Sequence, residues 1–371
     1  MINVFKPSLG EEELNGLREI FETGWIGLGP KTAEFEKRFA KYVDAKYAFA
    51  VNSATSALHL ACILCDVNEG DEVLVPTNTF VSTALAPMYC GATPVFVDVN
   101  IYDLNISVDD LWSKISSRTK AIIPVHYGGY PCDMNEIWKI AKDENIHVIE
   151  DAAHACGAEY RGKKVGGLDS DATTFSFHAV KNLATGDGGM ITTNNDSFAE
   201  KLPKLRWCGI DKSTWNRAEG KEYNWQYDIS ELGYKYHMND IIATIGLAQL
   251  DKVEVMNDRR RKIVQMYNDA FTGHHEIFTP HEPKYVKSAM HNYVIQTDRR
   301  DELHRFLKER KISTGVHYYP IHMQPLFRGG NHYCPNAEML WTKILTLPLY
   351  PSMTDNNVLE VIEAMGEFFG W

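Results

Sequence analysis

The sequence predicts an α/β protein, with a mostly parallel mixed sheet in a large domain over residues 1–250 and a smaller C-terminal α+β domain over residues 251–371. Three observations carry that expectation. Between Asp71 and Asp151, short apolar runs that read as buried strands alternate with longer runs that read as helices, the pattern of a parallel sheet with covering helices. A long helical pattern from Met238 to Phe271 then breaks the alternation, and beyond it a different grammar of strands and helices begins. Finally, a chain of 371 residues, 44% hydrophobic and 23% charged, is long enough for one large core and a second, smaller one.

Taken in order, Glu11 to Phe21 and Lys31 to Val43 read as amphipathic helices, the second through Phe35, Phe39 and Tyr42 at helical spacing. The loop TGWIGLGP joins them, and its Trp25 can pin the two helices together. A short strand, Tyr47 to Val51, runs into NSATSALHLA, where Ser53 is a good N-cap and the following helix offers unpaired N–H groups suited to an anion. The alternating stretch follows as DEVLVP, TALAPMYC, TPVFVDV, SVDDLWSKI, KAIIPVHYGG, MNEIWKIAKDEN and IHVIED. Ligand sites of such sheets gather beyond the carboxyl ends of the strands, which is where Phe80 and Asp151 fall. A strand from Thr173 to His178 leads into a glycine-rich turn around Lys181, and a second strand-like run covers Met190 to Thr193.

After a helix at Phe198 to Arg206, the polar, aromatic segment from Cys208 to Asp240 reads as a long loop, a kind of segment that is usually functional or disordered. In the second domain HNYVIQT and STGVHYY read as strands, while DELHRFLKER and NNVLEVIEAMGEFF read as helices.

A formal net charge of −11 argues against general binding to nucleic acid or anionic membrane, so a phosphorylated ligand must be met by a local cluster of donors. The first residues lack a secretory pattern and nowhere do eighteen uncharged apolar residues run together, so the expectation is a cytoplasmic protein. Seven scattered cysteines fit reduced thiols, and Cys62 and Cys65, inside the apolar run SALHLACILC, read as core packing. No metal site is expected, because no acidic or cysteine ligand completes a set with His317 and His322.

The chemistry concentrates on two residues. A lysine held between core strands must settle its charge, and one use of a desolvated amine is a Schiff base with an aldehyde cofactor; the alternative for Lys181 is a solvated turn lysine. A carboxylate ending a buried strand is costly unless paired, and a protonated pyridine nitrogen would be one partner for Asp151; its alternative is a helix cap for residues from Ala152 onward.

The words FSFHAVKNLATGDGG, EDAAHACGA, GDEVLVPTNTFVSTA and GATPVFVDV, in that relative arrangement, resemble the nucleotide-sugar aminotransferases of the DegT/DnrJ/StrS group, from about Gly10 to the final helix. These are pyridoxal 5'-phosphate (PLP) enzymes of the aspartate aminotransferase fold, fold type I. The resemblance implies that Lys181 carries the cofactor and does the acid–base work, that Asp151 keeps the pyridine nitrogen protonated, and that Phe80 stacks on the ring. It also implies that Ala54, Thr55 and Ser176 hold the phosphate, Ala54 standing where the family usually has glycine. His154 would approach the phenolic oxygen, and standing where others carry glutamine it points to amination at carbon 4 of the sugar. Some relatives that dehydrate carry histidine where Lys181 stands, so His178 does not change the reading. A homodimer with shared sites is implied, in which Lys235, or Asn239 nearby, reaches the neighbouring phosphate. Trp25, His317, Tyr318 and His322 would line the sugar-nucleotide side. The expected reaction moves an amino group from an amino acid such as L-glutamate to a nucleotide-linked keto-deoxysugar, with pyridoxamine 5'-phosphate as the intermediate carrier, in building an amino sugar for a surface polysaccharide such as lipopolysaccharide O-antigen or for a glycosylated metabolite. The alternative is a regulatory protein of the same fold that binds PLP or a sugar nucleotide without turnover. A nicotinamide oxidoreductase is disfavoured by the lack of a GxGxxG turn after a strand.

Overall fold

The computed structural model describes residues 1–211, 227–330 and 332–371. At its centre lies a seven-stranded sheet. In chain order its strands are β1 (Tyr47–Val51), β2 (Glu72–Pro76), β3 (Thr93–Val97), β4 (Thr119–Ile122) and β5 (His147–Asp151). A small hairpin, β6 (Glu159–Tyr160) and β7 (Lys163–Lys164), precedes the last two, β8 (Ala172–Ser176) and β9 (Gly189–Thr193). In space the order is β1-β9-β8-β5-β4-β2-β3. Five neighbours from β8 to β3 run parallel, and β9 runs antiparallel to both β8 and β1.

Side chains alternate across the strands and build a core on each face. Leu74, Ile122, Val148, Phe175 and Met190 pack on one side with helices α2 (Pro30–Val43) and α6 (Met134–Glu144). Val73, Val75, Ile123, Ile149 and Ile191 pack on the other with α3 (Ala54–Leu64), α4 (Ser82–Tyr89) and α7 (Asp196–Leu205). Helix α1 (Glu11–Thr23) packs, like α2, against the long helix that begins at Asp240, and the short α5 (Val108–Ser113) follows β3.

Helix α8 (Asp240–Phe271) is continuous through residues 250 and 251. Its first half adds Ala243, Leu247, Val253 and Met256 to the core of the large sheet, while Ile263, Val264, Tyr267 and Phe271 enter a third core. That third core holds an antiparallel pair, β11 (Tyr293–Gln296) and β12 (Ile344–Leu347), with α9 (Arg300–Glu309) and α11 (Asp355–Phe369). The two-residue β10 (Val286–Lys287) pairs with β6, and the short α10 (Pro335–Leu340) precedes β12. Among the described residues no helix is long and apolar enough to cross a membrane.

Two local expectations are corrected. The stretch STGVHYY is not a strand: only an isolated bridge joins Gly315 to Thr346. Side chains replace the ladder there, since the Tyr318 N–H donates to Asn78 Oδ1 at 2.9 Å and the Tyr127 hydroxyl donates to the His317 carbonyl. No helix follows Asp151 either. The Ala152 N–H is taken by the Thr174 carbonyl and the Ala153 N–H by the Asp151 carboxylate, and Gly157 then turns the chain at φ +91°. The apolar run ILTL, missed in the sequence, is β12. Of the expected long loop between Cys208 and Asp240, residues 212–226 lie outside the described residues.

Candidate active site

Pairing of Val51 and Ser176 with Gly189 brings the ends of β1 and β8 to one level, and Asp151 pairs with Thr174 on the next strand. The ends of β2, β5, β8 and β1 thus open on one edge, where Phe80, Asp151, Ser176 and the N-terminus of α3 meet.

Asp151 is 4% exposed. Its Oδ2 accepts from the Thr83 hydroxyl at 2.8 Å and its Oδ1 from the Ala153 N–H at 3.1 Å. Burial raises its pKa above the ordinary carboxylate value, against the lowering pull of Thr83, the Ala153 amide and Lys181. Thr83, in α4, escaped the sequence reading; TNTFVST offers three threonines and nothing in their order distinguishes the one that points inward. It is itself oriented by Thr79, 2.8 Å away.

Lys181 follows β8 and is half-buried, but protein crowds its amine enough that burial pushes the pKa down to about 8, against the raising pull of Asp151. Among the described residues no hydrogen bond or ion pair holds its ammonium group. An amine with a pKa near 8 is divided between its protonation states close to neutral pH.

Ser53 caps α3, its hydroxyl accepting from the Ser56 N–H at 3.1 Å. Ala54 and Thr55 are the first two helical residues, so their N–H groups lack intrahelical partners. The Thr55 hydroxyl lies 2.7 Å from Ser82 Oγ. Ser176 Oγ, at the end of β8, accepts from the His178 N–H at 3.4 Å. Beneath these groups β9 comes so close that a Cβ on Gly189 would stand 2.6 Å from the Ser53 carbonyl carbon and oxygen and 2.8 Å from the Ala54 nitrogen. Gly189 is thus a glycine for lack of space, and Ser53, Ala54, Thr55, Ser82 and Ser176 form a polar cradle above it.

Phe80 is 59% exposed, an apolar face left uncovered at the strand end, with the Tyr318 ring 6.4 Å away. His154 is buried. The Gly128 N–H donates to its Nδ1 at 3.3 Å, which makes Nδ1 the acceptor and leaves the proton on Nε2, 3.1 Å from the Tyr318 hydroxyl. Burial first, then Lys181 and His317, hold the imidazole well below its ordinary pKa and therefore neutral. Behind it His291 stacks at 4.5 Å and donates from Nδ1 to Asn182 Oδ1 at 3.0 Å. His317 is held by Thr346 at 2.8 Å, with its pKa lowered to about 4 by burial and by Lys181.

The remaining candidates have other partners. His322 is buried between Thr77 Oγ1 at 2.5 Å and Glu338 Oε1 at 3.1 Å, the setting of a framework histidine that steadies the turn before Phe80. Trp25 donates to the Leu28 carbonyl at 3.3 Å inside its loop, which Asp240 fixes by accepting from the N–H groups of Gly29, Lys31 and Thr32. Lys235 lies exposed, its ammonium 3.8 Å over the Trp207 ring, and Asn239 caps α8 by accepting from the Ile242 N–H. His178 is exposed beside Ser176. Cys62 and Cys65 are buried thiols, and among the described residues no cluster of three His, Cys, Asp or Glu side chains could hold a metal ion.

This cradle, an amine, a buried carboxylate and an uncovered aromatic face match what a phosphorylated pyridine aldehyde needs at its four sides. Comparison with known proteins points the same way. The chain is 42% identical to the spore coat polysaccharide biosynthesis protein SpsC of Bacillus subtilis over 370 residues, covering 97% of this chain and 95% of that one. The sugar aminotransferase Spr1654 of Streptococcus pneumoniae, described as putative and solved in its PMP form, superposes with a TM-score of 0.93 at 30% identity, covering 100% of this chain and 99% of that one. DesV of S. venezuelae, solved with a ketimine intermediate, superposes at 0.90 with 31% identity, covering 97% and 95%. Residues 7–366 match the model of the DegT/DnrJ/EryC1/StrS aminotransferase family, and the chain belongs to that family.

Proposed function

We propose that this sugar aminotransferase family member moves an amino group from an amino acid, L-glutamate first among candidates, to a nucleotide-linked keto-deoxysugar, with PLP as its cofactor and pyridoxamine 5'-phosphate as the carrier between the two half-reactions. The observation that supports it most is Lys181, a half-buried amine with its pKa near 8, within electrostatic reach of a buried carboxylate at the end of β5. When bound, the cofactor supplies an aldehyde that captures the donor's amine and a pyridinium that accepts the electron pair released at the donor's α-carbon.

The chain's own residues do the rest. Lys181 takes the proton from the donor's α-carbon and later returns one on the sugar side, a task suited to an amine whose pKa lies near the working pH. Asp151 would hold a proton at the ring nitrogen, and the Thr83 hydroxyl favours its ionised form against the raising effect of burial. Phe80 covers one face of the ring, Ala54, Thr55 and Ser176 receive the phosphate, and the neutral His154 offers its Nε2 proton to an oxygen at the ring's edge. The homodimer shares its sites: Lys235 of the partner subunit leaves its own Trp207 and adds a charge to the phosphate. Tyr318, His317 and Trp25 face the sugar nucleotide, carbon 4 is the position aminated, the enzyme works in the cytoplasm, and the product is an amino sugar for a surface polysaccharide or a glycosylated metabolite.

The half-reaction tests this reading. PLP-loaded protein given L-glutamate should lose its visible band and release 2-oxoglutarate, and the resulting form should then aminate one member of a panel of nucleotide-linked keto sugars. A visible lysine adduct that reacts with no amino acid would replace it with a regulatory binder. For the shared site, mixing Lys181→Ala with Lys235→Ala subunits should restore activity; no recovery after verified exchange would count against it.

A further inference from the structure

Behind His154 a second imidazole is built into the same turn. Gly128, at φ +63° in the turn Tyr127–Gly129, donates its N–H to His154 Nδ1 at 3.3 Å. Its carbonyl accepts from the His291 N–H at 2.9 Å, so one residue pins both histidines. Their rings stack at 4.5 Å and 27°, and the Phe5 ring lies parallel to His291 at 5.5 Å. His291 is buried, and the charged or titratable groups around it are Lys181, His154, Arg260 and His317.

The protons on these rings follow from partners that have no choice of role. The Ala289 and Cys156 carbonyls can only accept, so Asn182 must face Ala289 with its Nδ2, at 2.7 Å, and Asn257 must face Cys156 with its Nδ2, at 3.0 Å. The second Nδ2 proton of Asn182 goes to Asn257 Oδ1 at 2.8 Å. Asn182 Oδ1 is left to accept, and it lies 3.0 Å from His291 Nδ1, so His291 carries its proton on Nδ1. His154, whose Nδ1 receives a backbone N–H, carries its proton on Nε2. Burial first, then Lys181 and His154, hold His291 well below its ordinary pKa, and the stack is therefore two neutral imidazoles of opposite tautomer.

Resting on the PLP site proposed above, we propose that His291 is a positioning residue: stacked behind His154 and locked by Asn182, it aims the His154 Nε2 proton at the cofactor's phenolic oxygen and ties that aim to Lys181, the residue before Asn182. The direction of donation is marked by the Tyr318 hydroxyl, 3.1 Å from that Nε2. The outer torsion of a histidine is soft, and one bond at Nδ1 leaves the ring free to tilt about it. The stacked His291 ring removes that freedom. It cannot itself turn without leaving the buried Asn182 carbonyl with no donor. Asn257, from α8, joins Asn182 to Cys156, two residues beyond His154, so the turn that carries the amine and the turn that carries His154 are tied a second time.

A pH titration of the visible band of the PLP-loaded full chain tests this without turnover. A donor to the phenolic oxygen favours its ionised form and lowers the pH at which the lysine adduct gives up its proton. His154→Ala should therefore raise the midpoint by about one pH unit. His291→Phe keeps a ring but gives Asn182 no donor, and His291→Gln gives a donor but no ring. Each should raise the midpoint in the same direction, and neither should move it further in a His154→Ala background, because His291 acts through His154 alone. A merely structural loss would lower the urea midpoint and show no such dependence on His154. If His154→Ala leaves the band where it was, His154 does not serve the phenolic oxygen, and the role of His291 falls with it. If His154→Ala moves the band while a folded His291 variant stays within about 0.2 pH unit of wild type, or if the two shifts add, the positioning role is overturned and the site itself stands.

Discussion

Replacing Gly189 by alanine isolates the cradle from the rest of the site. The new Cβ would stand 2.6 Å from the Ser53 carbonyl carbon and oxygen and 2.8 Å from the Ala54 nitrogen, all backbone atoms, whereas ordinary contact begins at 3.4 Å. The start of β9 and the start of α3 must therefore part by about 0.8 Å, a distance that a close-packed interior does not absorb without strain. Overpacking of this kind costs roughly 1–3 kcal/mol of stability, and loss of one charge-assisted hydrogen bond to the phosphate costs a further ~1.5–3 kcal/mol of binding, or about tenfold to a hundredfold in cofactor affinity. Titration of the cofactor-free protein with PLP and with unphosphorylated pyridoxal separates the two. Gly189→Ala should weaken PLP by about that factor and leave pyridoxal nearly unchanged. PLP affinity within about twofold of wild type would show that the phosphate does not lie on the α3 N-terminus.

Other consequences are equally specific. Burial brings the Lys181 pKa down to about 8 from the ordinary 10.5, so at pH 7 its burial costs about 3 kcal/mol, and the folded state recovers that cost as pH rises from about 8 to 10.5, where the unfolded chain still holds the proton. Cofactor-free Lys181→Met should thus unfold at higher denaturant than wild type at pH 7, by an advantage that fades toward pH 10.5; a constant difference would contradict the burial argument. Thr83→Val removes a donor that favours the ionised Asp151, so the acid limb of the pH–rate profile should move to higher pH, with kcat down about tenfold for a lost bond of ~1.4 kcal/mol. Asp240→Ala leaves the Gly29, Lys31 and Thr32 amides without their buried acceptor and should destabilise the protein by about 2–4 kcal/mol in urea unfolding.

Much of this was legible in the sequence because period and punctuation agree. The large sheet announces itself by alternating apolar runs, and α8 by inward residues such as Val253, Met256 and Ile263 over a long stretch. Asp151 stood out as a carboxylate ending a buried strand and Lys181 as a lysine in the glycine-rich turn after β8, but it was the resemblance that set both apart from a helix cap and a solvated lysine. What failed to show lies in tertiary contacts. The backbone around His317 looked like a strand because β-branched and aromatic residues fit that pattern, yet Asn78 and Tyr127, far away in the chain, satisfy it instead. Thr83 is one hydroxyl among several until folding aims it at Asp151, and Gly189 is one glycine among several until β9 meets Ser53.

The central claim is that a single amine and a single carboxylate address the two ends of one pyridine ring. Borohydride reduction of the PLP-loaded protein, followed by peptide mapping, tests it most directly, with Asp151→Ala run alongside. The account predicts one pyridoxyl group per chain, on Lys181, and in the Asp151 variant the same label with amino-group transfer lost. Labelling of any other lysine, or transfer persisting undiminished without Asp151, would contradict it.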